Sequence, residues 1–206
     1  MNLSLSCTCG KLKGLAESIS GPVGNRIVCM CDDCQAFAHY LNRSKDILDI
    51  NGGTDIFQVA PCRIKITSGI EILKCIRLSD KGMIRWFAGC CRTPVGNTMA
   101  SHKVPFVGMI HLFMNSSGDM NRYEKVVGPV LAKSMGKFGI GQLPKDSHQK
   151  APLKLIFRMI KFLFSAWLKR QHQPSPFFDV NGKPTAEPYV LTRKERDDLR
   201  QYCGPK

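Results

Sequence analysis

Ten cysteines occur in 206 residues, and seven of them fall into three clusters: Cys7 and Cys9 in CTCG, Cys29, Cys31 and Cys34 in CMCDDC, and Cys90 and Cys91 in GCCRTP. Thiols spaced this closely are metal ligands or redox groups. A structural zinc takes four ligands in a tetrahedron, whereas a catalytic zinc keeps three and leaves a position for water or substrate, so seven sulfurs divide naturally into four plus three. In a Cys-x-Cys pair on a strand both side chains point to one face, which lets Cys7 and Cys9 share one ion and Cys29 and Cys31 another. Cys34, in the first turn of a following helix, closes the three-sulfur set. Neighbours on an extended strand face opposite ways, so Cys90 and Cys91 both ligate only where the backbone turns, as Gly89 and Pro94 allow; otherwise Cys91 ligates without it. A thioredoxin-type redox pair has the Cys31 to Cys34 spacing but belongs in a βαβ setting. Thiolate-rich sites suit zinc. Cys62, Cys75 and Cys203 stand alone and read as small buried hydrophobes.

The elements that must position these sulfurs are mainly strands. Up to about residue 114 the chain runs in short segments rich in alternating and branched residues: NLSLS, RIVC, DIFQVA, RIKIT, IEILKCIRL, MIRWFA and FVGMIHLFM. Turns are expected at Ser68-Gly69, at Asp80-Lys81-Gly82 and at Ser116-Ser117-Gly118-Asp119. Within this region DDCQAFAHYL is the exception, a short helix capped by Asp32 or Asp33 with Phe37 and Leu41 on one side. From 115 to 150 only EKVVGPVLAKSM suggests a helix, interrupted at Gly128 and Pro129.

A division into a zinc-binding β domain over 1–145 and a basic helical, Pro-rich extension over 146–206 follows from this pattern. In APLKLIFRMIKFLFSAWLKRQHQ, Pro152 fits a helix start, and Lys154, Arg158, Lys161, Ser165 and Lys169 form a narrow polar stripe on an otherwise apolar helix. So wide an apolar face implies packing on the sheet domain or a second subunit, or contact of residues 152–170 with an anionic membrane surface. QPSPFFDVNGKPTAEPYV reads as an extended arm wrapping back over the body. Thr192 with Glu195 makes a capping box for a terminal helix through about Gln201.

Net charge is +14, which points to an acidic partner. Aromatic residues are not clustered on basic strands, which ranks nucleic acid below membrane or protein partners. No charged stretch followed by an apolar core opens the chain, so a cytoplasmic, reducing setting is expected for the cysteines. No apolar run reaches the length of a membrane span.

Over residues 3–115, Cys-x-Cys-Gly, then Cys-x-Cys-x-x-Cys, then a Gly-Cys-Cys-Arg-Thr-Pro element after a β region resemble the glutathione-dependent formaldehyde-activating enzyme family, which shares a β-tent fold of small antiparallel sheets with centromere protein V. The resemblance implies a structural zinc on Cys7, Cys9, Cys91 and, where the backbone turns, Cys90. It implies a second zinc on Cys29, Cys31 and Cys34, at which a carbon-sulfur lyase makes or breaks adducts between a thiol such as glutathione and an aldehyde. Met30 stands where the family often has His, and Ala88 where it has the first sulfur of its last cluster. Arg92, Lys65 and Arg63 are candidates to meet glutathione carboxylates. No catalytic acid or base is assigned, since His39, His102 and His111 read as surface or core histidines.

Overall fold

The computed structural model describes residues 1–115 and 118–205. The chain forms β1 (Leu3–Ser6), β2 (Lys13–Ala16), β3 (Asn25–Cys29), α1 (Asp32–Tyr40), α2 (Ser44–Ile47), β4 (Thr54–Val59), β5 (Ile64–Ser68), β6 (Leu73–Arg77), β7 (Ile84–Ala88), β8 (Pro94–Thr98) and β9 (Val107–Ile110). It continues through α3 (His111–Met114), α4 (Met120–Val127), β10 (Ala132–Ser134), α5 (Leu153–Leu168), β11 (Tyr189–Val190) and α6 (Arg193–Arg200). The architecture is mainly β, in two sheets, with a helical C-terminal extension. One sheet is small and antiparallel, in the order β1-β2-β5; the other has eight strands, β10-β3-β4-β9-β8-β7-β6-β11. Only its outermost strands pair in parallel, β10 with β3 and β11 with β6.

Period-two alternation explains β1, where Leu3 and Leu5 enter the core and Ser4 faces solvent. By contrast, β7 is buried at every position, as its near-continuous apolar run requires. Trp86 of that strand is fully buried and donates its indole N–H to Thr98 Oγ1 at 2.9 Å. Phe177 and Phe178 of the C-terminal arm close over Trp86, with ring centroids 5.2 and 6.2 Å away. The arm therefore wraps back into the main core before contributing β11 to the sheet edge.

Several elements differ from the sequence reading for local reasons. FVGMIHLFM is strand only to Ile110; a helical turn follows and buries Phe113 and Met114. Gly128, at φ +81°, ends α4 rather than interrupting a longer helix, and Ala132–Ser134 becomes a strand. Ser116 and Ser117 of the expected turn lie outside the described residues. The capping box forms as expected, with Glu195 N–H on Thr192 Oγ1 at 3.2 Å and Thr192 N–H on Glu195 Oε2 at 2.8 Å. On α5, broad packing against the body is not what the chain adopts: Leu155 and Ala166 are its buried residues, and Leu153, Phe157, Ile160, Phe164, Trp167 and Leu168 face outward. Among the described residues no helix is long and apolar enough to cross a membrane.

Candidate metal centres

Two hairpin turns meet at the first cluster. Cys7 and Cys9 sit in the β1–β2 turn rather than on a strand, where Gly10 at φ +75° donates to Cys7 O at 2.9 Å. Cys90 and Cys91 sit in the β7–β8 turn, where Arg92 at φ +58° donates to Ala88 O at 2.8 Å. That turn removes the obstacle to adjacent ligands, since the two side chains no longer alternate across a strand. Sulfur separations are 3.5 Å for Cys7–Cys9, 3.2 Å for Cys9–Cys90, 3.8 Å for Cys7–Cys90 and 3.7 Å for Cys90–Cys91. An ion bonding sulfur at about 2.3 Å, as zinc does, sets tetrahedral sulfurs about 3.8 Å apart. The four thiols therefore fit such an ion.

Backbone and hydroxyl groups around this cluster favour thiolates. Leu12 N–H points at Cys7 Sγ at 3.2 Å. Thr93 Oγ1 accepts from Thr8 N–H at 3.0 Å and lies 3.0 Å from Thr8 Oγ1 and 3.1 Å from Cys91 Sγ, so with the Thr8 hydroxyl donating to it, its own proton goes to that sulfur. Burial raises the Cys91 thiol, but hydrogen bonds from Thr8, Thr93 and the backbone outweigh it and bring the thiol down to about 5. Burial and the neighbouring thiols push Cys90 up, and burial pushes Cys7 up. Arg43 braces the assembly by donating to Cys91 O at 3.0 Å and Thr8 Oγ1 at 3.3 Å.

The second cluster is local. Cys29 ends β3, Cys31 is the N-cap of α1, and Cys34 lies in its first turn. Cys31, not Asp32 or Asp33, caps the helix, its sulfur accepting Cys34 N–H at 3.4 Å. All three sulfurs lie within 4.8 Å of one another, and among the described residues no histidine, carboxylate or further cysteine joins them. The group can hold an ion and supplies three ligands. Hydrogen bonds from Cys29 and Cys31, with help from Arg85, hold the Cys34 thiol well below its ordinary range. Cys31 lowers Cys29, but Cys34 and burial outweigh it and push Cys29 up to about 12; the Cys31 thiol is raised by both neighbours.

Arg85 is the residue that spacing arguments missed. Only 3% exposed, it donates to Asn97 Oδ1 at 3.4 Å and pairs with Asp33 at 3.5 Å, and its Nη1 lies 4.0 Å from Cys34 Sγ. Three thiolates around a divalent ion leave one net negative charge, which this buried cation offsets. An arginine inside the otherwise apolar strand MIRWFA was the available signal, because a buried charge requires a partner. Arg200 of α6 adds a second cation, bridging Asp32 and Asp33 at 3.1 Å each.

Residues 2–188 match the family of unknown function DUF6151. The chain belongs to that family. The matched span contains all seven clustered sulfurs and α5. No curated protein matches the chain.

The remaining candidates of this DUF6151 member lie elsewhere. Lys65 pairs with Glu17 at 2.8 Å, Arg63 donates to Ser18 O, and Arg92 lies over the Tyr40 ring at 5.8 Å. His39 stacks on Tyr202 with ring centroids 5.3 Å apart, and burial lowers its pKa. His102 packs beside Phe178, while His111 begins α3 with Nδ1 buried and unpartnered. Cys75 is buried and Cys62 and Cys203 are half-buried, each outside the two groups. Met30 is 1% exposed, with its sulfur tucked against Gly139. Its neighbour Gln35, fully buried, ties three segments together: its amide donates to Met30 O at 2.7 Å and Phe138 O at 2.8 Å, and its oxygen accepts Gly204 N–H at 2.8 Å.

Proposed function

We propose that the chain is a two-zinc protein acting on thiols, related to the glutathione-dependent formaldehyde-activating enzymes. Cys7, Cys9, Cys90 and Cys91 hold a structural zinc, and Cys29, Cys31 and Cys34 hold a second with one position open to a substrate thiol. Its activity is that of a carbon-sulfur lyase on adducts of glutathione or a similar thiol with an aldehyde. The observation that carries this reading is the three-sulfur group, beside which no fourth histidine, carboxylate or cysteine stands among the described residues. Zinc held there supplies a resting place for a thiolate and lowers the pKa of an incoming thiol, while three sulfur donors make it a weak Lewis acid. Arg85 balances the charge of the loaded site and fixes Cys34, and Arg200 with Arg85 restrains the two aspartates of the helix start.

A second reading, a non-catalytic zinc module for an acidic partner, draws support from one observation. Cys34 is buried in an apolar cluster with Ile27, Ile56, Ala132 and Leu155, which favours a closed site. Elemental analysis of the purified protein and of Cys31→Ser, combined with NMR of thiol–formaldehyde adduct decay, separates the two. The lyase reading expects two zinc ions falling to one, with faster adduct turnover by wild type alone. Two zinc ions with unchanged adduct decay would leave the module; one zinc in wild type would remove the lyase reading, and no zinc would remove both.

A further inference from the structure

Helix α5 lies on the body through its narrower side. At about 100° per residue, Leu155, Met159, Phe162 and Ala166 share the inward face, and the opposite face carries Leu153, Phe157, Ile160, Phe164, Trp167 and Leu168. Of these, Leu153, Phe157, Phe164 and Leu168 are 61–71% exposed. Such a ridge is far more apolar than a solvent-facing helix surface ordinarily is. Its surroundings are cationic: from Ser147 to Phe178 there are six Lys and Arg residues and no Asp or Glu. Two copies meeting through α5 would bring these cations together with no acid between them, so charge favours an anionic partner over a second copy.

A cleft of about 330 Å³ beside the helix strengthens that choice. Arg63, Arg158, Lys161 and Lys169 line it, and no carboxylate does. Asn25 also lines it; 2% exposed, it accepts from Arg158 Nε through Oδ1, while its Nδ2 donor has no acceptor. A buried donor without an acceptor among four cations asks for an anionic oxygen. On the helix wheel, Lys161 and Lys154 border the apolar ridge, so a ridge sunk into acyl chains sets the cations at headgroup level. At 16 residues the helix is about 24 Å long, short of a hydrocarbon core of about 30 Å, and it therefore lies in the surface plane.

We propose that α5 is a membrane-contact helix: its apolar ridge enters the interfacial layer of an anionic phospholipid surface, and the basic cleft beside it takes a headgroup phosphate. Trp167 reports the contact, because the other tryptophan, Trp86, is fully buried. The 206-residue chain, loaded with metal, is mixed with phosphatidylcholine vesicles, with or without phosphatidylserine, while Trp167 emission and co-sedimentation are followed. Expected are a blue shift and sedimentation with the anionic vesicles only, weakening as salt rises. Lys161→Gln/Lys169→Gln should bind about 30-fold more weakly at unchanged metal content, from about fivefold per cation. Phe157→Glu/Phe164→Glu should remove binding. Equal binding to neutral vesicles, no binding at low salt, unchanged affinity of the lysine variant, or a vesicle-free blue shift that grows with protein concentration would each overturn the proposal, the last by indicating a dimer.

Discussion

Replacing Arg85 with Met tests whether the three-sulfur group is tuned as a metal site. Arg85 Nη1 stands 4.0 Å from Cys34 Sγ and is 3% exposed. Two unit charges at that distance interact by about 4 kcal/mol at an effective dielectric of about 20, the value that suits sites in proteins. A zinc with three thiolates carries one net negative charge, as does the metal-free group with Cys34 ionised, so the attraction largely cancels between the two states. Losing the guanidinium should therefore weaken zinc binding by about tenfold, the cost of a Cys34 thiol that ionises less readily. Met fills similar volume without charge, but removing one partner of a buried charge pair costs about 3–5 kcal/mol where the other is left uncompensated, so a urea melt of the variant accompanies the metal measurement. Asp33 keeps its contact with Arg200 at 3.1 Å, which limits the unpaired charge left behind. Titration of the loaded protein with a chromogenic zinc chelator should show one ion leaving at about tenfold lower chelator concentration in Arg85→Met, the other unchanged. Arg85→Lys, which restores the charge without the planar fork, should recover most of the difference. Loss of both ions together, or of neither, would refute the assignment of Arg85 to this site.

Metal uptake at pH 7 should release at least two protons from each cluster, because Cys7 and Cys90 in one and Cys29 and Cys31 in the other are raised above 9.0; calorimetry in buffers of different ionisation enthalpy counts them. In the metal-free protein Cys91 titrates near 5 against an ordinary 9.0, so the unfolded state binds more protons across that window. Its contribution to stability is therefore complete above about pH 9, declines as pH falls and is gone below about 5, and Thr93→Val should flatten this slope in urea melts. Gln35→Leu leaves the buried acceptors Met30 O and Phe138 O without their donor and frees Gly204 N–H, costing about 3 kcal/mol by urea unfolding, with faster amide exchange at Gly204.

Strong periodicity and unambiguous caps made much of this fold legible. NLSLS, DIFQVA and RIKIT became strands close to the expected bounds, and Thr192 with Glu195 closed its box. The strand β8, PVGNT, carries Pro94 and Gly96, which argue against a central strand; it exists because β7 and β9 pair with it on either side. Gly96 is suited to that place, since a Cβ there would lie 2.9 Å from Gly108 O. The seven clustered sulfurs were visible from spacing, but the devices that gather them were not. Cys7 and Cys9 share a turn, and Cys31 displaces two aspartates as the cap, because backbone hydrogen bonds decide these geometries. Arg85 and Gln35 were silent for another reason: a single polar residue in an apolar segment announces that a partner exists without naming it. On α5 the apolar pattern was clear, yet periodicity alone cannot say which apolar face meets the body.

The two metal groups differ in what they tie together, and that difference sets their roles in folding. Cys7 and Cys90 are 83 residues apart, so an ion there joins two hairpin turns across most of the β region. Cys29 and Cys34 are five residues apart. Treated as cross-links in the unfolded chain, loops of these lengths correspond to about 4.5 and about 2 kcal/mol of lost conformational freedom. Cys31→Ser should be mild, because serine is itself a good N-cap and can accept the Cys34 N–H in place of sulfur. Cys90→Ser/Cys91→Ser strips one turn of both sulfurs and opens the long loop. With each variant saturated with zinc, the double variant should melt lower than Cys31→Ser by about 5–10 °C, from about 2.5 kcal/mol in a chain of this size. Comparable melting temperatures would mean that the long-range cluster does not brace the fold. A lower value for Cys31→Ser would transfer the structural role to the local site, leaving its three sulfurs as part of the framework.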